Sequence, residues 1–437
     1  MTNSSLTYLK AAKEQYDLLK SFYYESSSIT GAYWQLGTSF DSIIDFLQIA
    51  IEVPELDISV NDARDFLQAA ATNYVHSAGC WYDDFGWWGI AFSKALDPFY
   101  SNLFGSADGS LVKEFTNKAL QCWDTMKNGK GDGFHHGAPN AFKYADKTYF
   151  SGVAPMFENG VWQYDIFVPR RPSDCSPSDC NPPTPIDVLY TPTDTEYPAV
   201  KLGPYQLTVV NGLYFVLGQR LANAGTITKV SQKEIDDLWG FVYNWCYSDK
   251  LTTDQKLFNW FGTTDSGLFH ERVSIYANGD AVYTAPGISE NEAWAGDQGL
   301  MLGALVAYEP HNTTETKEGQ DLINGLTNGT LTKIVGPTKD GVDVLMPWYP
   351  VGGDAPGKDT GDYCSGSGVF MRYLLYGYRN NASVQNLVKT TYHQLIKDTA
   401  DACVANKYIT LLDCAWNSAY FDPFNKLAVL TTASQVL

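Results

Sequence analysis

The stretch Tyr205–Ala222, YQLTVVNGLYFVLGQRLA, carries the fold in its spacing. Val210, Leu213, Tyr214, Leu217 and Leu221 recur at i, i+3 and i+4, the stripe of one helix face. The same spacing predicts helices over 6–23, 38–52, 62–77, 86–97 and 110–126. It recurs over 231–247, 297–308, 316–326, 366–378, 384–402 and 424–436. Start signals accompany some of these. Asn61 precedes Asp62, and Ser231 stands three residues before Glu234, as in a capping box. Strand-like alternation is confined to short pieces, such as Val273–Tyr283 around a predicted Asn278-Gly279 hairpin turn. Residues 127–204 break the helical pattern. Lys127–Gly133 is a Gly-rich turn region, and Val168–Pro198 is a long loop rich in Pro, Ser, Thr and Asp. No linker divides the chain. A single domain over 1–437 is expected, with insertions around 127–158 and 163–204. About twelve helices in one undivided chain predict six helical hairpins closed into an all-α (α/α)6 barrel. Its site would be a cup formed by helix N-termini and loops.

The bulk composition removes several classes of function. With 437 residues, 44% hydrophobic and 18% charged, the chain has the makings of a large core and is not a disordered segment. A net charge of −19 argues against nucleic acid and anionic membranes as partners, since both need a basic surface. No apolar run approaches the roughly 20 residues of a membrane span. Met1–Ser5 lacks the basic and apolar regions of a signal peptide. The eight cysteines include no C-x-x-C pair, so neither a zinc site nor a redox motif is expected. Cys175 and Cys180 are spaced to close a small loop. The even cysteine count and the Asn-x-Ser/Thr sequons at Asn3, Asn312, Asn328 and Asn381 lean towards secretion. The expected location is extracellular.

Chemistry concentrates in Trp81-Tyr82-Asp83-Asp84-Phe85-Gly86-Trp87-Trp88-Gly89. Paired carboxylates serve glycosidic bond cleavage, and aromatic faces stack on sugar rings. Either Asp83 or Asp84 would also cap a helix beginning near Phe85 or Gly86. Capping needs one short polar residue, however, and has no use for the surrounding rings. Retaining glycosidases hold their carboxyl groups about 5–5.5 Å apart and inverting ones about 6.5–9.5 Å, so adjacency favours retention. A helix N-terminus favours both as anions, while mutual repulsion and burial favour a proton on one. Similar polar, Gly and aromatic clusters stand at Tyr33-Trp34-Gln35, Glu158-Asn159-Gly160-Val161-Trp162, Trp294 with Gly296-Asp297-Gln298-Gly299, and Gly366–Tyr373. Repetition at several helix starts is what a cup lined by helix N-termini would give. His135-His136 lacks metal spacing and reads as loop in preference to a sugar contact, and His76 reads as a core histidine of its helix. A serine nucleophile elbow, a Walker loop and a dinucleotide fingerprint are absent.

Taken in order, these segments resemble glycoside hydrolase family 76, whose known activity is endo-α-1,6-mannanase and whose fungal cell-wall relatives are thought to act as transglycosidases. The resemblance rests on Asp83-Asp84-Phe85-Gly86-Trp87-Trp88, on Gly296–Leu305 and on Gly368–Leu374. Tyr33-Trp34-Gln35, Asn159–Trp162 and Tyr205–Asn211 add weaker matches. It implies an (α/α)6 barrel and a retaining mechanism with Asp83 as nucleophile and Asp84 as general acid/base. No cofactor and no metal are implied. Tyr33, Trp34, Gln35, Tyr82, Trp87, Trp88, Asn159, Trp162, Asn211, Trp294, Asp297 and Gln298 are the expected contacts to an α-mannan-like polysaccharide or oligosaccharide. Asp297 stands where the family usually has Asn, and the Tyr205–Asn211 segment lacks the family's Lys and first Asn. Rival readings are another barrel carbohydrate enzyme (a transglycosidase, epimerase or uronyl hydrolase) and a non-catalytic glycan-binding protein.

Overall fold

Six helices pack side to side in a closed ring. The computed structural model describes residues 2–79, 82–106, 109–129, 142–144, 147–149, 162–163, 202–233, 235–236, 239, 242, 246, 258–260, 266–270, 272–276, 281–282, 293–308, 313–349, 361–406 and 418–437. The principal helices, in chain order, are α1 Asn3–Lys20, α2 Tyr33–Ala50, α3 Val60–Asn73, α4 Tyr82–Ser93, α5 Ser110–Gly129 and α6 Thr208–Asn223. They continue as α7 Ala295–Ala307, α8 Thr313–Lys333, α9 Gly366–Asn380, α10 His393–Val404 and α11 Ser418–Val436. The ring runs α2–α4–α6–α7–α9–α11 and back to α2, each member touching the next. Outside it, α1 and α10 lie against α11, α5 against α4, and α8 against α7. Helical residues between 232 and 246 occupy the outer layer too. Trp239 stacks on Tyr308 beyond the end of α7, and Ile235 packs at Gly218 of α6. This alternation of inner and outer helices is the all-α (α/α)6 barrel the sequence predicts.

The inner position explains where the helical spacing misplaces boundaries. Every residue of α2 except Trp34 is buried, and every residue of α4 except Asp83. A helix covered on all sides has no polar face, so periodicity cannot mark its ends. The two helices therefore start at Tyr33 and Tyr82, ahead of the expected 38 and 86. The outer helix α3 keeps its amphipathic stripe, but its capping box uses Ser59 with Asp62 rather than Asn61. It ends at Asn73, which leaves His76 in a short 3-10 turn instead of a helix core. There His76 is half-buried, its Nδ1 2.9 Å from the Tyr74 hydroxyl and its Nε2 3.0 Å from Thr125 Oγ1.

Close contacts within the ring need small residues. A Cβ on Gly299 of α7 would stand 2.7 Å from Phe370 Cα and 2.8 Å from the Val369 carbonyl of α9. Short strands ride on the ring. Leu202–Leu207 pairs antiparallel with Trp162–Gln163 and with Arg272–Tyr276, matching Leu207 to Arg272 and Gln206 to Trp162. Tyr205, Gln206 and Leu207, expected as helix, thus belong to this sheet, and α6 starts only at Thr208. Arg272–Tyr276 also pairs with Ala281–Val282, as the predicted hairpin requires. The Asn278-Gly279 turn itself, Lys127–Gly133 beyond residue 129, Val168–Pro198, Cys175 and Cys180, His135-His136 and Glu234 lie outside the described residues.

Candidate active site

The N-terminal ends of the inner helices meet at one end of the ring. Trp34 of α2 and Trp87 of α4 lie 6.4 Å apart between ring centroids. Trp87 meets Trp294, the residue that precedes α7, edge to face at 6.3 Å. Trp34 also packs on Phe421 at the start of α11, at 5.3 Å. Rings from four inner helix starts therefore form one cluster.

Asp83 and Asp84 stand in the first turn of α4, so they are helical residues and not its caps. The orphan N–H groups and the dipole there favour negative charge. The two differ in surroundings. Asp84 is 6% exposed, as deep as neighbouring Tyr82 at 3%, whereas Asp83 is the one residue of α4 that is not buried. Trp34 holds the corresponding status in α2. The barrel thus opens its two best-covered helices at one carboxylate and one indole, and both lie at the same end.

The other expected site residues divide. Gln35 lies in the first turn of α2, Asn211 in that of α6 and Asp297 in that of α7, all three buried. Tyr33 and Trp88 belong to the wall instead. The Trp88 indole N–H donates to the Tyr33 carbonyl at 2.8 Å, and the Tyr33 hydroxyl donates to Tyr74 at 2.8 Å. Trp88 is fully covered among Tyr23, Phe40, Tyr74 and Phe92. Gln298 is a second correction. Its amide accepts from the Phe269 N–H and donates to the Phe269 carbonyl, both at 2.8 Å, and donates to the Trp294 carbonyl at 3.0 Å. A fully buried amide engaged in this way fastens the strand Gly267–Phe269 to the start of α7 and leaves no surface for a sugar. Trp162 is placed only as a strand residue opposite Gln206. Asn159, like Trp81, lies outside the described residues.

Phe421 and Tyr363 are cup residues that the sequence alone did not single out. The Tyr363 carbonyl accepts from the Trp294 indole at 3.0 Å. The spacing predicts a helix from 424, whereas α11 begins at Ser418 with Pro423 inside it and so takes in Phe421.

The opposite end of the ring is chemically different. Lys94, just past α4, lies 3.0 Å from Asp41 Oδ1 and 2.8 Å from Asp45 Oδ2, both of α2. Arg372 of α9 reaches Asp41 Oδ2 at 3.0 Å, and Arg220 of α6 stands 3.9 Å from Asp41 Oδ1. Tyr100 donates to Asp45 and is met in turn by Arg379. Burial pushes the Asp41 carboxyl up, but Lys94, Arg372 and Arg220 outweigh it and hold the group below the usual carboxylate range. For Lys94, burial prevails over Asp41 and Asp45, and its pKa is lowered. Among the described residues, no group of His, Cys, Asp and Glu has the arrangement of a metal site.

No family model matches the sequence, and no curated protein matches it. Solved structures do match its fold. One is an inactive variant of the α-1,6-mannanase of Salegentibacter sp. HEL1_6, with two consecutive aspartates replaced by alanine and α-1,6-mannotetrose bound. It aligns at a TM-score of 0.53 and 12% identity, over 98% of this chain and 99% of that one. Dfg5 from Chaetomium thermophilum, in complex with glucosamine, aligns at a TM-score of 0.51 and 15% identity, over 92% and 80%. A glycoside hydrolase family 76 mannosidase from Bacteroides thetaiotaomicron aligns at a TM-score of 0.50 and 12% identity, over 92% and 87%. The chain therefore has the (α/α)6 fold of family 76 glycoside hydrolases, and the resemblance read from its motifs holds at the level of the fold.

Proposed function

We propose that this chain is a divergent family 76 glycoside hydrolase, a retaining enzyme that cleaves α-mannosidic linkages, most specifically α-1,6-mannan. The observation that carries the reading is Asp83. It is the one unburied residue of its inner helix, beside buried Asp84 and one helical turn ahead of Trp87, whose indole meets those of Trp34 and Trp294. The mannanase with the same fold loses its activity when two consecutive aspartates become alanine, and it binds an α-1,6-linked mannose oligomer. In this mechanism Asp83 attacks the anomeric carbon while Asp84 gives its proton to the glycosidic oxygen, and the reducing-end fragment leaves. Asp84 then takes a proton from water, whose oxygen attacks the same carbon and frees Asp83. Asp83, the less covered of the two, suits the nucleophile, and buried Asp84 suits the group that must carry a proton in one step. Trp34, the ring of the cluster that is not buried, stacks on the sugar with Trp87 and Trp294 packed behind it, and Gln35, Tyr82 and Asn211 supply polar edges. The six inner helices, drawn from the whole length of the chain between residues 33 and 436, close one ring, which supports a single catalytic domain over 1–437.

Incubation with α-1,6-mannan tests the reading. Reducing sugar should appear, and NMR of the first product should show the α-anomer. Inverted product, or no cleavage across a panel of α-mannans and fungal wall glycans, would refute it. A second reading is transfer of the glycosyl unit to an acceptor sugar, the activity that the resemblance to family 76 implies for its fungal cell-wall relatives. Added oligosaccharide acceptors would then yield lengthened products in place of free reducing ends.

No helix among the described residues is long and apolar enough to cross a membrane. Cys364 is disulfide-bonded, which favours an oxidising, extracellular setting, although Cys122, Cys246 and Cys403 are buried free thiols. Two sequons weigh less than their sequence suggests. The Asn381 side chain caps the following helix, and that of Asn328 accepts from the Tyr392 hydroxyl.

A further inference from the structure

One side chain beneath the cup touches both of the helices that open into it. Arg372, in the second turn of α9, is 3% exposed. Its Nη1 donates to the Thr38 carbonyl at 2.6 Å and to Thr38 Oγ1 at 3.1 Å. Its Nε lies 3.0 Å from Asp41 Oδ2. Its guanidinium carbon stands over the Trp87 ring, 5.3 Å from the centroid, within cation–π range. Thr38 follows Trp34 by four residues, so the two share a face of α2. Trp87 follows Asp83 by four residues, so these share a face of α4.

We propose that Arg372 is a positioning residue for the cleavage reaction: by holding Thr38 and the ring of Trp87 together, it fixes Trp34 and Asp83 relative to one another. The proposal rests on the glycosidase reading above. Only arginine fits the post. A planar fork donates along its edge to Thr38 and Asp41 while its face covers an indole, whereas a lysine ammonium is a point charge that does one of these at a time. Misplacement of a bound sugar by about 1 Å costs as much as 100-fold in rate, so the strut need not touch substrate to matter. The deeper ion pairs of Lys94 with Asp41 and Asp45 hold the strut's own anchor, and they reach neither Trp87 nor Thr38 Oγ1 in the contacts above.

The experiment compares Arg372→Lys, Trp87→Phe and Asp45→Asn with the wild type, each well below its own melting temperature. Near-ultraviolet circular dichroism without substrate reads the indole cluster, and steady-state kinetics on an α-1,6-linked mannotetraose read the cup. The expected result is that Arg372→Lys loses the same indole band as Trp87→Phe, raises KM and lowers kcat/KM by ~10–100-fold. Asp45→Asn should lower the melting temperature yet keep the band and KM. An Arg372→Lys variant with the wild-type band and KM would overturn the proposal. So would an equal KM change in Asp45→Asn, which would make the effect one of general stability. A wild-type protein that cleaves no α-mannan would sink the glycosidase reading instead, and with it the kinetic part of this inference. The dichroism would then still decide whether Arg372 orders the cluster.

Discussion

The two ends of the inner ring are built from the same helices and do opposite things. At the N-terminal end α2 and α4 each leave one residue uncovered, Trp34 and Asp83, among indoles. Towards the C-terminal end the same two helices contribute Asp41 and Asp45, and α4 leads into Lys94, all at least 95% covered and engaged with one another. A carboxylate at the first end has helix N–H dipoles and, at Asp83, incomplete cover. One at the second has fixed cations and near-complete cover. A single pair of helices thus separates an incompletely covered acid from a buried, ion-paired one by position along the axis.

That contrast can be broken by four measurements, taken from the largest expected effect to the smallest. Replacing Asp83 or Asp84 with Asn should cut turnover on α-1,6-mannan by at least about 10³-fold, as loss of a covalent-catalysis partner does. The melting temperature should stay near wild type, and near-wild-type turnover in either variant would remove that residue from the mechanism. Asp41→Ala leaves Arg372 with an uncompensated buried charge, while Lys94 keeps Asp45. It should cost about 3–5 kcal/mol in urea unfolding, and a loss under 1 kcal/mol would mean that the floor is not held electrostatically. Gly299→Ala, forced against the α9 backbone, should cost about 1–3 kcal/mol, and an unchanged urea midpoint would show that α7 and α9 have slack.

The smallest effect is on acid stability. The folded pKa of Asp41 lies below its ordinary value of 3.8, so the native state binds fewer protons than the unfolded one in that range. Its contribution is complete above about pH 4 to 5 and is lost as pH falls through the lowered folded value. Urea midpoints measured down the pH scale should therefore decline below about pH 4, equally in wild type and Asp83→Asn. A flattened curve in Asp83→Asn would assign the acid limb to the cup instead of the floor.

Much of this was readable in the chain. Outer helices such as α3 and α5 show their stripe because one face meets water. The pairing of Asp83-Asp84 with Trp87 was visible as a motif, and so were Trp34 and Trp294. What escaped was set by contacts between distant segments. Gln298 looks like a sugar ligand in a row of polar residues, but Phe269 claims its amide. Trp88 looks like its neighbour Trp87, but a helix turns adjacent side chains about 100° apart, so that the two buried indoles meet different partners, Trp87 those of Trp34 and Trp294 and Trp88 the rings of Phe40, Tyr74 and Phe92. Phe421 stands ahead of the expected helix start at 424, and Arg372 stood in a recognised motif with no role until Thr38 and Trp87 came beside it.

By itself the sequence determined the helical content, the likeness to family 76 and the acidic aromatic cluster, because these are local or compositional properties. The tertiary structure decided which of two neighbouring aspartates is open, which indoles meet and which arginine lies beneath them. Those are properties of six helix ends brought to one place, and no spacing along a single helix encodes them.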